Sequence, residues 1–298
     1  MAFKCGTIAL IGKPNVGKST LLNALVGEKI AIVTAKPQTT RNRIIGIRNL
    51  PEAQLVFLDT PGLHKPHRDL NEYMIQVAKM ALSEADLIIF IREPFLPRGV
   101  EEEEIYRMIQ HSGRPFIVVI NKIDTVSKDS LLPVLQKSMD TFPEAVAYVP
   151  VSALKADGTE RLLPEIVAKL PEGPALYPKD LTTDQTERFL VTELIREQII
   201  QLTKEEIPYA IAITIDEFKE ATPETPITHI LATIHVEKDS QKGILIGKGG
   251  QMIKTIGELS RKEIEKELGQ KLFLKLFVKV SEDWSRDPYK LREFGYGS

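Results

Sequence analysis

Eight residues near the N-terminus constrain the fold of this chain more than any other segment. They read Gly12-Lys13-Pro14-Asn15-Val16-Gly17-Lys18-Ser19 and match the pattern G-x-x-x-x-G-K-[ST]. A strand-like run, Ile8–Ile11, precedes them, and helix-compatible sequence begins near Lys18. Glycines allow such a loop to curl so that its N–H groups point at phosphate oxygens, and the helix adds the positive end of its dipole. The segment therefore predicts a phosphate-binding loop between a strand and a helix.

Short apolar runs recur through the first half of the chain, with helix-compatible stretches between them. The runs are Ile8–Ile11, Leu55–Leu58, Leu87–Ile91, Phe116–Ile120 and Tyr148–Val151. This alternation is typical of an α/β domain with a mainly parallel sheet. Arg43–Arg48 and Gln54–Leu58 flank a turn and predict a hairpin that adds one antiparallel edge strand. We therefore predict an α/β P-loop domain over residues 1–172.

The composition of the sequence changes after that domain. Pro171-Glu172-Gly173-Pro174 and Tyr177-Pro178 are rich in helix and strand breakers, so residues 173–183 are predicted to be a linker. Asp184 and Glu187 have the spacing of a capping box and predict a helix that continues to about Glu205. Two strands, a glycine cluster, a helix and a last strand follow. The order predicts an α+β domain over residues 184–298.

The composition narrows the class of protein. The 298 residues carry a formal net charge of only −2, so any surface that binds nucleic acid must be a local basic patch. The single cysteine, Cys5, excludes an intramolecular disulfide. No apolar run approaches the ~18 residues that a membrane span needs. Strand-like sequence begins at Thr7, which leaves no room for a cleaved signal peptide. We therefore expect a cytoplasmic protein.

The phosphate-binding loop and two later segments predict the residues that act on phosphates. Lys18 is expected to reach the β- and γ-phosphates of a nucleotide, and the Ser19 hydroxyl is expected to bind Mg²⁺. Asp59 ends a strand beside the loop and would hold Mg²⁺ through water, while the Gly62 N–H would meet the γ-phosphate. The predicted catalytic residues are Lys18, Thr40, Asp59 and Gly62, and the predicted Mg²⁺ ligands are Ser19, Thr40 and Asp59.

The threonine of this set lies in the segment Gln38-Thr39-Thr40-Arg41. A threonine in such a segment is expected to complete the Mg²⁺ ligands only when the γ-phosphate is present. We predict that it is Thr40, with Thr39 as the alternative. Both residues could instead be ordinary loop hydroxyls.

Two further segments predict that the base is guanine. Asn121-Lys122-Ile123-Asp124 follows a strand, and an aspartate there accepts hydrogen bonds from guanine N1–H and the 2-amino group, both of which adenine lacks. Asn121 and Lys122 would brace the loop and cover the base. Ser152-Ala153 follows the next strand and fits the segment whose backbone N–H meets guanine O6. The predicted GTP-binding residues are Gly12, Lys13, Pro14, Asn15, Val16, Gly17, Lys18, Ser19, Thr20, Asp59, Gly62, Asn121, Lys122, Asp124, Ser152 and Ala153.

The position that orients the attacking water differs from that of Ras-type GTPases. Those proteins have a glutamine after the Asp-x-x-Gly motif, whereas this chain has Leu63. We therefore predict slow intrinsic hydrolysis, with the water oriented by the backbone or by other groups. Asn15 suggests that a K⁺ ion near the phosphates replaces an arginine finger. The alternative is that the Asn15 amide only braces the loop.

A second glycine cluster predicts an RNA-binding loop. It carries the G-x-x-G pattern of KH domains at the head of a helix, where glycines allow close approach to a nucleic-acid backbone. Residues 242–279 hold nine Lys or Arg against four Glu, although the whole chain is slightly acidic. The alternative is a tight turn that caps a helix. The predicted RNA-binding residues are Ile246, Gly247, Lys248, Gly249, Gly250, Lys242 and Lys254.

The last predicted strand has two different faces. One carries the apolar residues Leu272, Leu274, Leu276, Val278 and Val280, and the other carries Phe273, Lys275, Phe277 and Lys279. This second face has three open interpretations, namely contact with RNA, contact with the first domain, and partial burial in the core of the second domain.

Together these motifs resemble the Era family of bacterial GTPases, which carry a C-terminal KH domain. The resemblance runs from the phosphate-binding loop through Gln38–Arg41, Asp59–Leu63 and Asn121–Asp124 to Gly247–Gly250. It implies a KH module of the second topological type, and Leu63 belongs to the family pattern. It also implies binding near the 3′ end of small-subunit ribosomal RNA, not DNA, and a role in maturation of the small ribosomal subunit. A loose contact with the inner face of the membrane is a further implication, which the basic stretch Lys275–Lys290 permits.

Two other functions stay open. The chain could be the switch of an RNA-modifying system, but the sequence offers no second reactive centre: Cys5 is the only thiol, and the five histidines form no spaced metal set. It could also be a constitutive RNA-binding module with a structural nucleotide site. Unchanged RNA affinity across nucleotide states would identify that second case.

Overall fold

The computed structural model describes residues 2–62, 69–95 and 99–296, apart from the side chain of Asp69. These residues form two compact units. The first holds residues 2–62, 74–95 and 99–184, and the second holds residues 69–73 and 185–296. Within the described ranges, no helix is long and apolar enough to cross a bilayer.

The first unit is a six-stranded sheet flanked by helices, as predicted. Its strands are β1 (Lys4–Ile11), β2 (Ile44–Asn49), β3 (Ala53–Asp59), β4 (Leu87–Arg92), β5 (Phe116–Ile120) and β6 (Ala147–Pro150), in the order β2-β3-β1-β4-β5-β6. Its helices are α1 (Lys18–Val26), the part of α2 (Asp69–Glu84) from Met74 onward, α3 (Val100–Ser112), α4 (Lys128–Thr141) and α5 (Thr159–Lys169). All neighbouring strands are parallel except β2, which pairs antiparallel with β3 at the edge. The predicted hairpin is therefore present.

Burial explains why these runs form the centre of the sheet. Every residue of β3, β4 and β5 is buried, which is typical of parallel strands with helices on both faces. The carboxyl ends of the parallel strands meet at one edge, so the loops after β1, β3, β5 and β6 are brought together there.

The stretch predicted to be a linker, residues 173–183, is bonded to the first unit. The buried Gln54 side chain accepts hydrogen bonds from the backbone N–H groups of Leu176 and Tyr177 at 2.7 and 2.9 Å, and it donates one to the Tyr177 carbonyl at 2.8 Å. Farther along, the Ile47 N–H donates to the Thr182 carbonyl at 2.7 Å. This stretch is therefore an attached part of the first unit rather than a free connection.

The second unit contains a three-stranded sheet. Its elements are α6 (Glu187–Leu202), β7 (Ala212–Lys219), β8 (Thr228–Val236), α7 (Asp239–Ile246), α8 (Gln251–Leu268), β9 (Leu272–Val280) and α9 (Pro288–Glu293). The sheet order is β7-β8-β9, with β7 antiparallel and β9 parallel to β8. This is the predicted KH arrangement.

Two details of the second unit differ from the sequence prediction. Helix α7 was missing from the predicted order, which had only a glycine cluster after β8. The cap of α6 is Thr186, whose side chain accepts a hydrogen bond from the Phe189 N–H at 3.2 Å, and not Asp184. Consequently α6 starts at Glu187, and it ends at Leu202 rather than near Glu205.

The C-terminal residues pack onto the second unit. Trp284 is buried, and its indole N–H donates to the Ala210 carbonyl at 3.1 Å. The ring of Phe294 lies 4.2 Å from that of His235 on β8. These contacts cover one end of the sheet.

Candidate functional site

The phosphate-binding loop lies between β1 and α1. Gly17 ends it with φ +94°, and a Cβ there would lie 2.3 Å from the Asn121 amide nitrogen, so only glycine fits. Lys18 folds back over the loop, and its ammonium donates to the Gly12 and Lys13 carbonyls at 3.1 and 2.9 Å. Burial lowers the pKa of Lys18 to about 8, against the opposing effect of the Asp59 carboxylate.

Three oxygen ligands converge beside this lysine. The Ser19 hydroxyl lies 2.6 Å from Asp59 Oδ2 and 2.8 Å from the Thr40 hydroxyl, and Thr40 lies 3.5 Å from the same carboxylate oxygen. The other oxygen, Asp59 Oδ1, is buried and meets no hydrogen-bond donor among the described residues. Burial raises the pKa of Asp59 to about 6, although the charge of Lys18 and the hydrogen bonds that Asp59 accepts lower it. Such a buried, incompletely paired set of hard oxygen atoms fits Mg²⁺.

The structure separates the two candidate threonines. The Thr39 hydroxyl lies 2.6 Å from that of Thr34 and donates to the Lys36 carbonyl at 2.8 Å. Thr40 instead faces Ser19 and Asp59. The geometry therefore places Thr40, and not Thr39, with the predicted Mg²⁺ ligands.

Gly62 lies against the phosphate-binding loop. A Cβ at Gly62 would lie 2.8 Å from the backbone of Pro14, so the two loops meet without room for a side chain. Asn15 has φ +62°, and its amide nitrogen donates to the Ala35 carbonyl at 3.0 Å. That bond braces the loop through nitrogen, whereas K⁺ would be held by the amide oxygen. Leu63 lies outside the described residues.

The base-binding end is built by bonds between three loops. Asn121 is buried, donates to the Val16 carbonyl at 2.7 Å and accepts from the Ala153 N–H at 2.9 Å. The Ser152 hydroxyl donates to Asp124 at 2.6 Å, and this hydrogen bond holds the pKa of that carboxyl below its usual value. The same bond orients the Asp124 carboxylate at the base-binding end.

Most of the predicted nucleotide residues line one cleft of about 620 Å³. They are Pro14, Asn15, Gly17, Lys18, Ser19, Thr20, Thr40, Gly62, Asn121, Lys122, Asp124 and Ala153. The others, Gly12, Lys13, Val16, Asp59 and Ser152, are adjacent and support this lining through the contacts above or through the loop backbone. Gln38 and Thr39, from the segment that contains Thr40, also line the cleft, together with residues that no motif indicated, namely Ile32, Val33, Thr34, Ala35, Thr125 and Leu154. Their only signal in the sequence is that they flank the predicted segments.

The glycine loop of the second unit joins α7 to α8. Gly247, Gly249 and Gly250 have φ of +72°, +60° and +77°. A Cβ on Gly247 would lie 2.7 Å from that of Met252, whereas Gly249 and Gly250 face open space. The loop therefore exposes its backbone and Lys248, while Gly247 has a packing role that the motif alone does not reveal.

A groove of about 310 Å³ lies beside this loop, between α8 and β9. Of the two lysines predicted to bind RNA outside the loop, Lys254 lines this groove, whereas Lys242 lies on α7 and is not among the lining residues. Arg261 and Glu258 also line the groove but were not predicted. Their helical spacing from Lys254 would have indicated the same face. The remaining lining residues are Ile253, Gly257, Leu274, Lys275 and Leu276.

Comparison with known proteins matches both units. Residues 7–122 match the family model of the 50S ribosome-binding GTPase, and residues 206–285 match that of the KH domain. The chain is 48% identical to GTPase Era of Geobacter metallireducens over 294 residues, covering 99% of this chain and 98% of the relative. It is 48% identical to GTPase Era of Syntrophus aciditrophicus over 296 residues, covering 99% of this chain and 95% of the relative.

Two solved structures have the same fold over nearly the whole chain. One is Era in complex with MgGDPNP and nucleotides 1506–1542 of 16S ribosomal RNA, and the other is a point variant of Aquifex aeolicus Era bound to GDP·AlF4⁻. Each matches with a TM-score of 0.95 at 42% identity and covers 99% of this chain and 100% of its own. The chain therefore belongs to the Era family of GTPases with a C-terminal KH domain.

Proposed function

We propose that this chain is a GTP-hydrolysing switch that binds the 3′ end of small-subunit ribosomal RNA and assists maturation of the small subunit. The proposal rests on the presence of two sites in one chain. The first unit has a nucleotide cleft with residues suited to guanine, and the second has a G-x-x-G loop beside a basic groove. The relative crystallised with MgGDPNP and 16S ribosomal RNA supports the RNA target.

The cleft residues would bind GTP by three kinds of contact. Backbone N–H groups of the loop from Gly12 to Ser19 and the Lys18 ammonium would hold the phosphates. Asp124 would accept hydrogen bonds from guanine, since the bond from Ser152 orients its carboxylate. Asn121 ties the base-binding loop to the phosphate-binding loop through the Val16 carbonyl, so the two ends of the cleft are held at a fixed spacing.

The ligands for Mg²⁺ would be Ser19, Thr40 and Asp59, the last through water. When bound, Mg²⁺ neutralises charge on the β- and γ-phosphates. Thr40 lies in the segment between α1 and β2, and Gly62 lies just after β3. Both segments would therefore respond to the presence of the γ-phosphate.

Hydrolysis would rely on positioning and charge stabilisation by Lys18, the loop amides and Gly62, with Thr40 and Asp59 acting through the metal. We expect a slow intrinsic rate because Leu63 cannot orient water. A K⁺ ion held by the Asn15 amide oxygen would add positive charge near the phosphates. Equal hydrolysis rates in K⁺ and Na⁺ buffers would contradict that role, and the loop-bracing bond to Ala35 would then be its whole function.

The RNA site would consist of the loop from Ile246 to Gly250 and the adjacent groove. Loop amides and Lys248 would contact phosphates, and the groove would receive about four unpaired bases. Lys254 and Lys242 would add positive charge on α8 and α7. With a ribosomal RNA partner, the protein would act in the cytoplasm. The loose membrane contact that the family resemblance implies stays a prediction.

The test is binding of a fluorescent RNA that carries the small-subunit 3′ end, with GDPNP, with GDP and without nucleotide. Lys248→Glu is the variant of choice, because Gly247→Asp would also disturb packing against Met252. The proposal predicts binding that depends on the nucleotide, is weakened by Lys248→Glu, and is stronger than binding to DNA of the same sequence. Binding indifferent to nucleotide would favour the constitutive RNA-binding module. Chemically altered RNA would favour the RNA-modifying system.

A further inference from the structure

The three-stranded sheet has one face turned away from helices α6, α7 and α8. This outer face consists of the β9 residues Phe273, Lys275, Phe277 and Lys279 and of the β8 residues paired with them, His229, Leu231, Thr233 and His235. The alternate β9 residues, such as Leu272 and Leu274, point toward the helices and are buried or half-buried.

The aromatic rings on the outer face are solvent-exposed. Phe273 and Phe277 are 46% and 43% exposed, so each keeps a large solvent-accessible surface although it is partly buried. The ring of His229 lies 5.3 Å from that of Phe273, tilted by 38°. The Lys275 ammonium lies 5.0 Å from the ring centre of Phe277. Phe273 thus has an imidazole neighbour and Phe277 a cationic one.

The charge of the outer face is positive along β9. Lys275 and Lys279 alternate with the two phenylalanines on one strand. The acidic residues lie on β7 and have partners: Glu217 pairs with Lys219 at 3.0 Å, and Asp216 accepts from Thr233 at 2.6 Å. Lysine is depleted at the centre of protein–protein interfaces, so this alternation favours a polyanion over a protein partner.

The outer face is continuous with the groove beside the glycine loop. Strand β9 is the edge of the sheet, and its residues Leu274, Lys275 and Leu276 line the groove together with α8. Lys275 therefore borders both surfaces. A strand of nucleic acid that leaves the groove beside Lys275 reaches Phe277 and Phe273 without crossing another element of the sheet.

We propose that the outer face binds single-stranded RNA that continues beyond the groove, with bases stacked on Phe273 and Phe277 and phosphates bound by Lys275 and Lys279. The two rings are ~13 Å apart along the strand, so each can stack a different base. Aromatic side chains on an open sheet stack bases in this way in other RNA-binding folds. At the other end Phe294 covers His235, so the track ends there. This inference rests on the proposed RNA-binding function.

The experiment measures fluorescence anisotropy of two labelled RNAs with the full chain and GDPNP. One RNA has about four nucleotides, which the groove can hold, and the other extends it to about twelve. The variants are Phe273→Ala/Phe277→Ala and, as controls, Phe273→Leu/Phe277→Leu, which keeps apolar area without a π-face, and Phe273→Tyr/Phe277→Tyr, which keeps the π-face. Thermal melting identifies any variant that fails to fold.

The alanine and leucine variants should bind the long RNA about 10- to 100-fold more weakly than wild type, because each lost stack weakens binding independently. The tyrosine variant should bind it within about threefold of wild type, and all three should bind the short RNA as wild type does. Equal affinity of the alanine variant for the long RNA would overturn the inference, as would full retention by the leucine variant. If wild type binds neither RNA, or Lys248→Glu leaves both affinities unchanged, the proposed function itself fails. The two failures are thus distinguishable.

Discussion

The Ser19 hydroxyl donates a 2.6 Å hydrogen bond to Asp59, although 40 residues of sequence separate them. Since Asp59 Oδ1 meets no donor among the described residues, the carboxylate has capacity left for a hydrated cation. Asp59→Asn should lower GTP hydrolysis by about 10²-fold and abolish its response to Mg²⁺, because the amide supplies no negative charge. A Mg²⁺ titration of hydrolysis tests this. Asp140→Asn, at an exposed position on α4, should behave as wild type.

Burial raises the pKa of Asp59 to about 6, so the folded state disfavours its charged form. Asp59→Asn removes that unfavourable charge. We therefore expect the variant, without nucleotide or Mg²⁺, to melt no lower than wild type. A clearly lower melting temperature would mean that the carboxylate stabilises the fold, and the loss of hydrolysis could then reflect misfolding.

Guanine selection should depend on the bond between Ser152 and Asp124. Ser152→Ala should weaken GTP binding by about 1 kcal/mol, roughly a fivefold change, because Asp124 loses an orienting hydrogen bond. Asp124→Asn should weaken GTP binding far more but improve binding of xanthosine triphosphate, whose carbonyl can accept from the new amide. Competition of both nucleotides against a fluorescent GDP measures the two effects. If the Asp124→Asn variant still preferred GTP over xanthosine triphosphate, Asp124 would not determine which base is bound.

His235 should make the stability of the second unit depend on pH. Its ring nitrogens lie 2.9 and 3.0 Å from the Thr214 and Ser281 hydroxyls. Burial lowers the pKa of His235, and the positive charge of Lys279 lowers it further. The acidic groups Asp216 and Glu293 oppose this shift.

Because the folded pKa lies below the ordinary value of 6.5, the unfolded chain takes up the proton first as the pH falls. Stability should therefore decrease as the pH drops through 6.5 toward the lower folded pKa, and His235→Gln should reduce this decrease. Urea unfolding of both proteins at pH 7.5 and 5.5 provides the comparison. Identical losses would show that His235 is not responsible.

Gln54 should be a major contributor to the stability of the first unit. Its fully buried amide makes three hydrogen bonds to the backbone of Leu176 and Tyr177, and Gln54→Ala removes all three. We expect a loss of about 2–4 kcal/mol in the free energy of unfolding. Gln136→Ala, at an exposed site, should change it by less than about 0.5 kcal/mol. Urea unfolding measures both, and equal effects would contradict the role of Gln54.

The elements carried by local signals were predictable. The loop from Gly12 to Ser19 needs its glycines because its backbone must curl around phosphate. The apolar runs have the length of buried strands, which is enough to predict the parallel sheet. Because the carboxyl ends of parallel strands share one edge, Asp59, Asn121 and Ser152 could be placed near that loop without knowledge of their contacts. Thr40 was predicted with Thr39 as the alternative, because neighbouring hydroxyls in a loop have the same chemistry, and only in the structure do their different contacts with Ser19 and Asp59 become visible.

The errors arose where tertiary contacts outweigh local preference. Helix α7 contains Gly243 and ends at a glycine loop, so its eight residues looked like part of a turn. Asp184 and Thr186 are both good caps, and only the backbone conformation at Thr186 selects between them. Residues 173–183 have the composition of a linker, but their partner Gln54 lies more than 100 residues earlier. No local pattern contains that information.

The attachment of this stretch also bears on aggregation. Strand β2 is the edge of the six-stranded sheet, and an uncovered edge is a template for pairing with another chain. The Ile47 N–H donates to the Thr182 carbonyl, and the Ile45 carbonyl accepts from the Thr183 hydroxyl at 2.7 Å. A fragment that stopped at residue 172 would leave both groups open to a second copy. The segment that joins the two halves of the sequence thus covers part of the edge along which the first half would otherwise pair with a second copy.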